Sequence, residues 1–191
     1  MTMKDSENTE KKQSEDAHLD RVGDWLYELR IKTVLPHIHG RALDIGCGTN
    51  QLMKRYGNGI GVDVFDFGGA DLIVSDTSVL PYPDASFDTV SIIAALNHIP
   101  YREKVLTEAY RLLKPGGKIL ITMIPPGISR VWHVLRSPWD RDQHERGMEH
   151  DEVYGLTRGE MRTLLKNASF EVVKEMPFMC FINTLTIAVK R

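Results

Sequence analysis

Arg41-Ala42-Leu43-Asp44-Ile45-Gly46-Cys47-Gly48-Thr49-Asn50 decides how this chain is read. Ala42 to Ile45 is a short apolar run with one acid in it, the pattern of a buried strand. Glycine then stands at alternate positions, and Gln51 to Tyr56 supplies a helix of about two turns. Gly46 and Gly48 lack a Cβ, so a ligand can come close to bare backbone. The N–H groups at the helix start favour an anion. Strand, glycine-rich loop and helix in that order make a ligand cradle at the carboxyl end of a strand, where open α/β sheets bind their ligands.

The residues narrow the ligand. A dinucleotide fingerprint needs glycine at position 51, where this chain has Gln51. Asp44 sets a carboxylate just before the loop, which repels a pyrophosphate and suits a cationic group such as the ammonium of an amino acid. Gly59-Ile60-Gly61-Val62-Asp63 reads as a second strand ending in an acid, 19 residues after Asp44. At that spacing a second-strand carboxylate meets ribose hydroxyls. Asp71-Leu72-Ile73-Val74 reads as a third strand, followed by Ser75-Asp76-Thr77 and Leu80-Pro81-Tyr82-Pro83-Asp84-Ala85-Ser86-Phe87-Asp88. Thr89 to Ala94 is a fourth strand. A helix from Tyr101 to Lys114 carries Val105, Leu106, Ala109, Leu112 and Leu113 at helical spacing and stops at Pro115-Gly116-Gly117. Lys118 to Ile124 is a fifth strand.

The pattern Asp44-Ile45-Gly46-Cys47-Gly48 resembles the first motif of class I S-adenosylmethionine-dependent methyltransferases, of the small-molecule, type 11-like kind. That family often has glycine where this chain has Asn50, the non-glycine residue that best tolerates left-handed backbone. The resemblance covers residues 41 to 124, including Leu112-Leu113-Lys114-Pro115-Gly116-Gly117. It implies S-adenosylmethionine as cofactor. Asp44, Gly46, Cys47 and Gly48 would hold its amino-acid end. Asp63 and Val64 would sit at the ribose, Asp76 and Thr77 at the adenine, and Ile93 and Ala94 on the methionyl side. It also implies an α/β, Rossmann-like, seven-stranded and mostly parallel sheet in the order 3-2-1-4-5-7-6, with strand 7 antiparallel and helices on both faces. His98, just past the fourth strand, is the candidate general base.

The chain has 191 residues and a formal net charge of −2, enough for one domain and without the basic excess of a nucleic-acid groove. The expected acceptor is therefore a small molecule, with nucleic acid disfavoured. Two cysteines, Cys47 and Cys180, do not make a disulfide framework, and a reducing cytoplasm is expected. Cys47 reads as a small loop residue rather than a nucleophile. Apolar runs fall short of the roughly 18 residues a membrane span needs. Neither is there an apolar core for a secretion signal.

Residues 1–17 are polar and charge-rich and read as a flexible tail. From 18 to 191 the chain reads as a single domain. A helix from His18 to about Pro36 carries Leu19, Val22, Trp25, Leu26 and Leu29 on one stripe. By resemblance it covers the cofactor's amino-acid end, with Tyr27 or Arg30 in reach. Residues 125–156 read as a substrate-side insertion, an amphipathic helix (Ile128, Val131, Trp132, Leu135) and a charged lid. Trp132, Arg136, His144 and Tyr154 are its candidate substrate residues. Its histidines match no zinc signature, so no metal site is assigned. Thr157-Arg158-Gly159-Glu160 has capping-box spacing. Phe170 to Met176 and Phe178 to Val189 read as a closing hairpin.

Methyl transfer by in-line displacement from S-adenosylmethionine is the activity this reading implies. Three alternatives stand beside it. A non-catalytic S-adenosylmethionine-binding protein would keep the same cradle. A nicotinamide-dependent oxidoreductase is opposed by Asp44, Gln51 and the terminal hairpin. Propylamine transfer from a decarboxylated cofactor would need no group for the lost carboxylate.

Overall fold

The computed structural model describes residues 23, 25–127 and 155–191. Seven strands form one sheet in the order β3-β2-β1-β4-β5-β7-β6. They are β1 (Ala42–Ile45), β2 (Gly59–Asp63), β3 (Leu72–Ile73), β4 (Phe87–Ile93), β5 (Leu113–Met123), β6 (Phe170–Phe178) and β7 (Asn183–Lys190). The pairs β1–β2, β2–β3, β1–β4 and β4–β5 are parallel, whereas β7 runs antiparallel to both β5 and β6. The expected strand order and the direction of the last strand are therefore met.

Helices α1 (residues 25–34), α2 (Gln51–Tyr56), α3 (Arg102–Leu112) and α4 (Arg158–Asn167) flank the sheet. Strand side chains alternate between faces, and the two faces build two cores. On one, Leu43, Ile45, Val90, Ile92, Ile119 and Ile121 pack with Val105, Leu106 and Ala109 of α3 and Met161 and Leu165 of α4. On the other, Ala42, Ile93, Leu120, Leu185 and Ile187 pack with Ile31 and Val34 of α1 and Leu52 and Met53 of α2. Trp25, expected on the buried stripe of the first helix, is 59% exposed. Tyr27, Ile31 and Val34, spaced i, i+4 and i+7, form the face that meets the sheet instead.

Boundaries shift where backbone constraints act. Helix α3 ends at Leu112, two residues before the expected end, because Leu113 is already extended. Pro115 also disfavours helix at Lys114. Pro115-Gly116-Gly117 thus lies inside β5, not before it, and the register between β4 and β5 jumps from Phe87↔Leu113 to Thr89↔Lys118. The third strand shortens to Leu72–Ile73. Phe178 belongs to β6, and the turn into β7 carries three successive left-handed residues, Met179, Cys180 and Phe181. Helix α4 opens on a complete capping box: Thr157 Oγ1 accepts from Glu160 N at 3.2 Å, and Glu160 Oε2 accepts from Thr157 N at 2.7 Å.

No helix among the described residues is long and apolar enough to cross a membrane. The expected tail 1–17 lies outside the described residues. So do residues 128–154 of the expected insertion, with Trp132, Arg136, His144 and Tyr154.

Candidate cofactor site

Asp44 stands opposite Ser91 where β1 pairs with β4. Both are buried, and Ser91 Oγ donates to Asp44 Oδ1 at 2.6 Å. Burial pushes the Asp44 carboxyl up to about 7. The Ser91 hydrogen bond opposes that rise and the charge of Asp63 adds to it. A buried acid in this state gains its full charge when a cation is brought beside it.

The loop after β1 is tied to β2, for Gly46 N and Cys47 N both donate to Val62 O. Its two glycines serve different ends. At Gly46 (φ +73°) a Cβ would lie 2.6 Å from the Ala95 Cβ, so this glycine lets the loop close on the chain that leaves β4. At Gly48 (φ +53°) a Cβ would meet nothing within 4 Å, so bare backbone faces open space.

Asp63 organises two loops at once. Its Oδ2 accepts from Gly48 N at 2.8 Å, and its Oδ1 accepts from Val64 N at 2.8 Å and Phe65 N at 3.2 Å. Three of roughly four carboxylate acceptor positions are thereby taken. Val64 itself is 44% exposed beside it. Asn50 is left-handed and caps α2 without a side-chain bond to the helix. Its amide instead donates to Gly69 O and to Asp71 Oδ2, which also accepts from Gly61 N. Gly61 is glycine because the Asn50 amide fills its Cβ space.

Helix α1 reaches this cradle through Tyr27. Burial, and then the Asp44 charge, push the phenol pKa up to about 12, against a lowering influence of Thr49 and the Gln51 backbone. Cys47 is buried, and its thiol is pushed well above the usual range, by burial first and then by Asp44, Asp63 and Asp71. A thiol held protonated is no nucleophile at neutral pH.

The carboxylate of Asp76 is exposed and turned onto its own loop. It accepts from Ser78 N at 2.7 Å and Ser78 Oγ at 2.8 Å, which hold its pKa below the ordinary value. Thr77 next to it is buried. Asp76, Ser78, Lys104 and Thr107 line a shallow groove against α3. At the end of β4, Ile93 is buried and Ala94 is left-handed (φ 54°), with its N–H donating to Thr122 Oγ1 at 3.0 Å. His98 closes the short 3-10 turn Leu96–His98, half-buried, with its backbone N–H on Ala95 O. The residues expected around a cofactor thus converge on the carboxyl ends of β1, β2 and β4, with Asp76 past the end of β3.

Ser91, Thr122, Asp71 and Ala95 also shape the site and were not singled out from sequence. The signal for the first two was present: one hydroxyl inside Val90-Ser91-Ile92-Ile93 and one inside Leu120-Ile121-Thr122-Met123. A polar group in a buried strand needs a partner. Asp71 and Ala95 gave no such signal, because their roles depend on contacts distant in sequence.

Residues 43–121 match the model of the methyltransferase domain family. Over this segment the chain is similar to a methyltransferase domain. The solved structure of a methyltransferase from Thermotoga maritima, described as a possible histamine N-methyltransferase, superposes with a TM-score of 0.66 at 18% identity. The match covers 92% of this chain and 98% of that one, a likeness of fold. In sequence, the chain is 35% identical over 101 residues to a ubiquinone/menaquinone biosynthesis C-methyltransferase from Methylobacterium nodulans, across 51% of this chain and 38% of the relative. An uncharacterized protein from Methanocaldococcus jannaschii is 35% identical over 107 residues, across 52% of each chain. The chain spans about half or less of the length of these curated relatives.

Proposed function

We propose that the protein transfers a methyl group from S-adenosylmethionine to a small-molecule acceptor. The observation that carries this reading is the buried Asp44, poised near neutrality beside a loop whose Gly48 N–H is held by Asp63 and whose Asn50 amide is held by Asp71. Three carboxylates around an open backbone loop suit a ligand with a net positive charge and oppose a pyrophosphate. When bound, the cofactor supplies an electrophilic methyl group on a sulfonium leaving group.

The chain's own residues bind and align. Asp44, ionised by its ligand, pairs with the ammonium, and Ser91 holds the carboxylate in place. Gly48 admits the amino-acid end against the backbone. Asp63 has one acceptor position left for a ribose hydroxyl, so a vicinal diol would take a second bond only by displacing a backbone donor. Asp76 reads the adenine amino group after turning from Ser78, or does so with the oxygen lone pairs that Ser78 leaves. Ala94 and Ala95 form a floor of small side chains under the reacting methyl, and His98 stands at the same edge as the proton acceptor. Holding nucleophile, methyl and sulfur in line accounts for roughly 7–11 kcal/mol of barrier reduction in favourable cases. The free cysteines Cys47 and Cys180 fit a reducing cytoplasm.

Thermal denaturation with S-adenosylmethionine, S-adenosylhomocysteine and NADH tests the reading. At about 100 times its dissociation constant, either adenosyl ligand should add roughly 2.7 kcal/mol of stability, and NADH nothing. Labelled methyl transfer to a panel of acceptors then tests turnover. Indifference to both adenosyl compounds overturns the proposal.

A further inference from the structure

Asn183 opens β7 and is fully buried, yet neither Oδ1 nor Nδ2 of its amide has a hydrogen-bond partner. Buried side-chain amides in folded proteins are hydrogen-bonded as a rule, since leaving the amide unpaired forfeits its hydration with no return. Among the described residues, no other buried amide lacks a partner on both atoms. Neither the methyltransferase motif nor the cradle accounts for this residue.

Its position in the sheet gives it a use. Asn183 pairs with Phe178 across the hairpin, and the next residue, Thr184, pairs with Met123, the last residue of β5. Asn183 therefore sits one step past the carboxyl end of β5, at the edge of the sheet that holds the cradle. Strand alternation puts it on the same face as Leu185 and Ile187, which is the face of Asp44 and Ser91. Two strand spacings, about 10 Å, separate β7 from β4 and the Ala94–Ala95 floor. Asp44 and Asp63 lie on the far side of β4, so Asn183 is on the side left for the acceptor. The turn before it is held by three consecutive left-handed residues, Met179, Cys180 and Phe181. Such backbone persists where the surroundings over-determine it, often at binding sites.

We propose that Asn183 is a specificity-determining residue, and that its amide binds an acceptor presenting a hydrogen-bond donor beside an acceptor on a neutral, planar group, as a carboxamide or lactam does. Nδ2 donates to the carbonyl oxygen and Oδ1 accepts the adjacent N–H, a two-point match that an amide makes with its own kind. A carboxylate offers no donor for Oδ1 and is opposed by the acidic cradle nearby. This inference rests on the proposed methyltransferase reading and adds the chemical class of the acceptor.

The test uses the full chain saturated with S-adenosylhomocysteine and three probes: benzamide, benzoate and toluene. Ligand-observed NMR titrations measure their affinities for the parent and for Asn183→Leu, which keeps the volume and removes both polar atoms. The parent should bind benzamide at least tenfold more tightly than benzoate or toluene, and Asn183→Leu should lose that preference. Asn183→Leu should bind S-adenosylhomocysteine like the parent and melt at an equal or higher temperature, because the unpaired amide is gone. Asn183→Asp, which removes the Nδ2 donor, should lose the benzamide preference too and covers the case in which the leucine variant does not fold. Equal benzamide affinity in parent and variants, no benzamide preference in the parent, or a lower melting temperature for Asn183→Leu overturns the inference. If S-adenosylhomocysteine fails to bind the parent at all, the methyltransferase reading fails first, and that arm is read separately.

Discussion

Ser91 Oγ and Asp44 Oδ1 are 2.6 Å apart across adjacent parallel strands, so the acid of the first motif is held by the neighbouring strand and not by its own loop. The pair couples stability to pH. The Asp44 carboxyl titrates near 7 in the folded chain and near its ordinary 3.8 when unfolded. With its folded pKa raised, ionisation opposes folding: the stabilising effect of the proton is whole below about pH 4 and is lost as pH rises toward 7. Asp44→Asn keeps the acceptor for Ser91 and removes the titration. Thermal melts should show the variant more stable than the parent at pH 8, by about 4 kcal/mol, and similar to it at pH 4. Calorimetry should find that it no longer binds the adenosyl ligand. A parent and variant that melt alike at pH 8 would sink the assignment of a buried, ionising Asp44.

The two loop glycines should fail differently. Gly46→Ala combines a left-handed backbone with a clash against Ala95, so it should cost about 2–4 kcal/mol in chemical denaturation. Adding Ala95→Gly should recover about 1–3 kcal/mol of that. Gly48→Ala carries the backbone strain alone, about 1–2 kcal/mol, and its larger effect should be on ligand affinity. No recovery in the double variant would show that Gly46 and Ala95 do not contact one another.

His98→Ala should lower turnover by 10²-fold or more if the histidine takes the acceptor proton, with cofactor affinity unchanged. The readout is kcat beside a binding isotherm. Turnover at the parental level removes His98 from the mechanism.

Thr157→Ala breaks the capping box of α4, away from the cradle. It should cost about 1 kcal/mol in urea denaturation and leave ligand binding alone. A neutral result would mean that the helix start is held by its packing on β6.

Much of this was legible in the sequence because the signals were local. The strand-glycine-helix run and Thr157 with Glu160 lie within a few residues of their partners, and Asp44 and Asp63 were readable from their places in short apolar runs. The order of the sheet followed from the resemblance that those residues carry. Other features are set by distant pairing. Pro115-Gly116-Gly117 looks like a stop between helix and strand, but Leu113 already pairs with Phe87, and the motif becomes an irregularity inside β5. Trp25 looks like a core residue by spacing alone, but the sheet meets the face of Tyr27, Ile31 and Val34. Asp63 reads as a ribose ligand, and the fold engages it with three backbone donors first.

The placement of β7 between β5 and β6 has a bearing on biosynthesis. Among the described residues β6 pairs with β7 alone, so when the ribosome has made everything up to Phe178 the sheet still ends at β5, with a ready-made hydrogen-bonding edge exposed. Closure must wait until Asn183–Lys190 emerges and slides into that gap. Until then the nascent protein carries a sticky flank, and a translational pause before codon 183 would prolong its exposure to self-association.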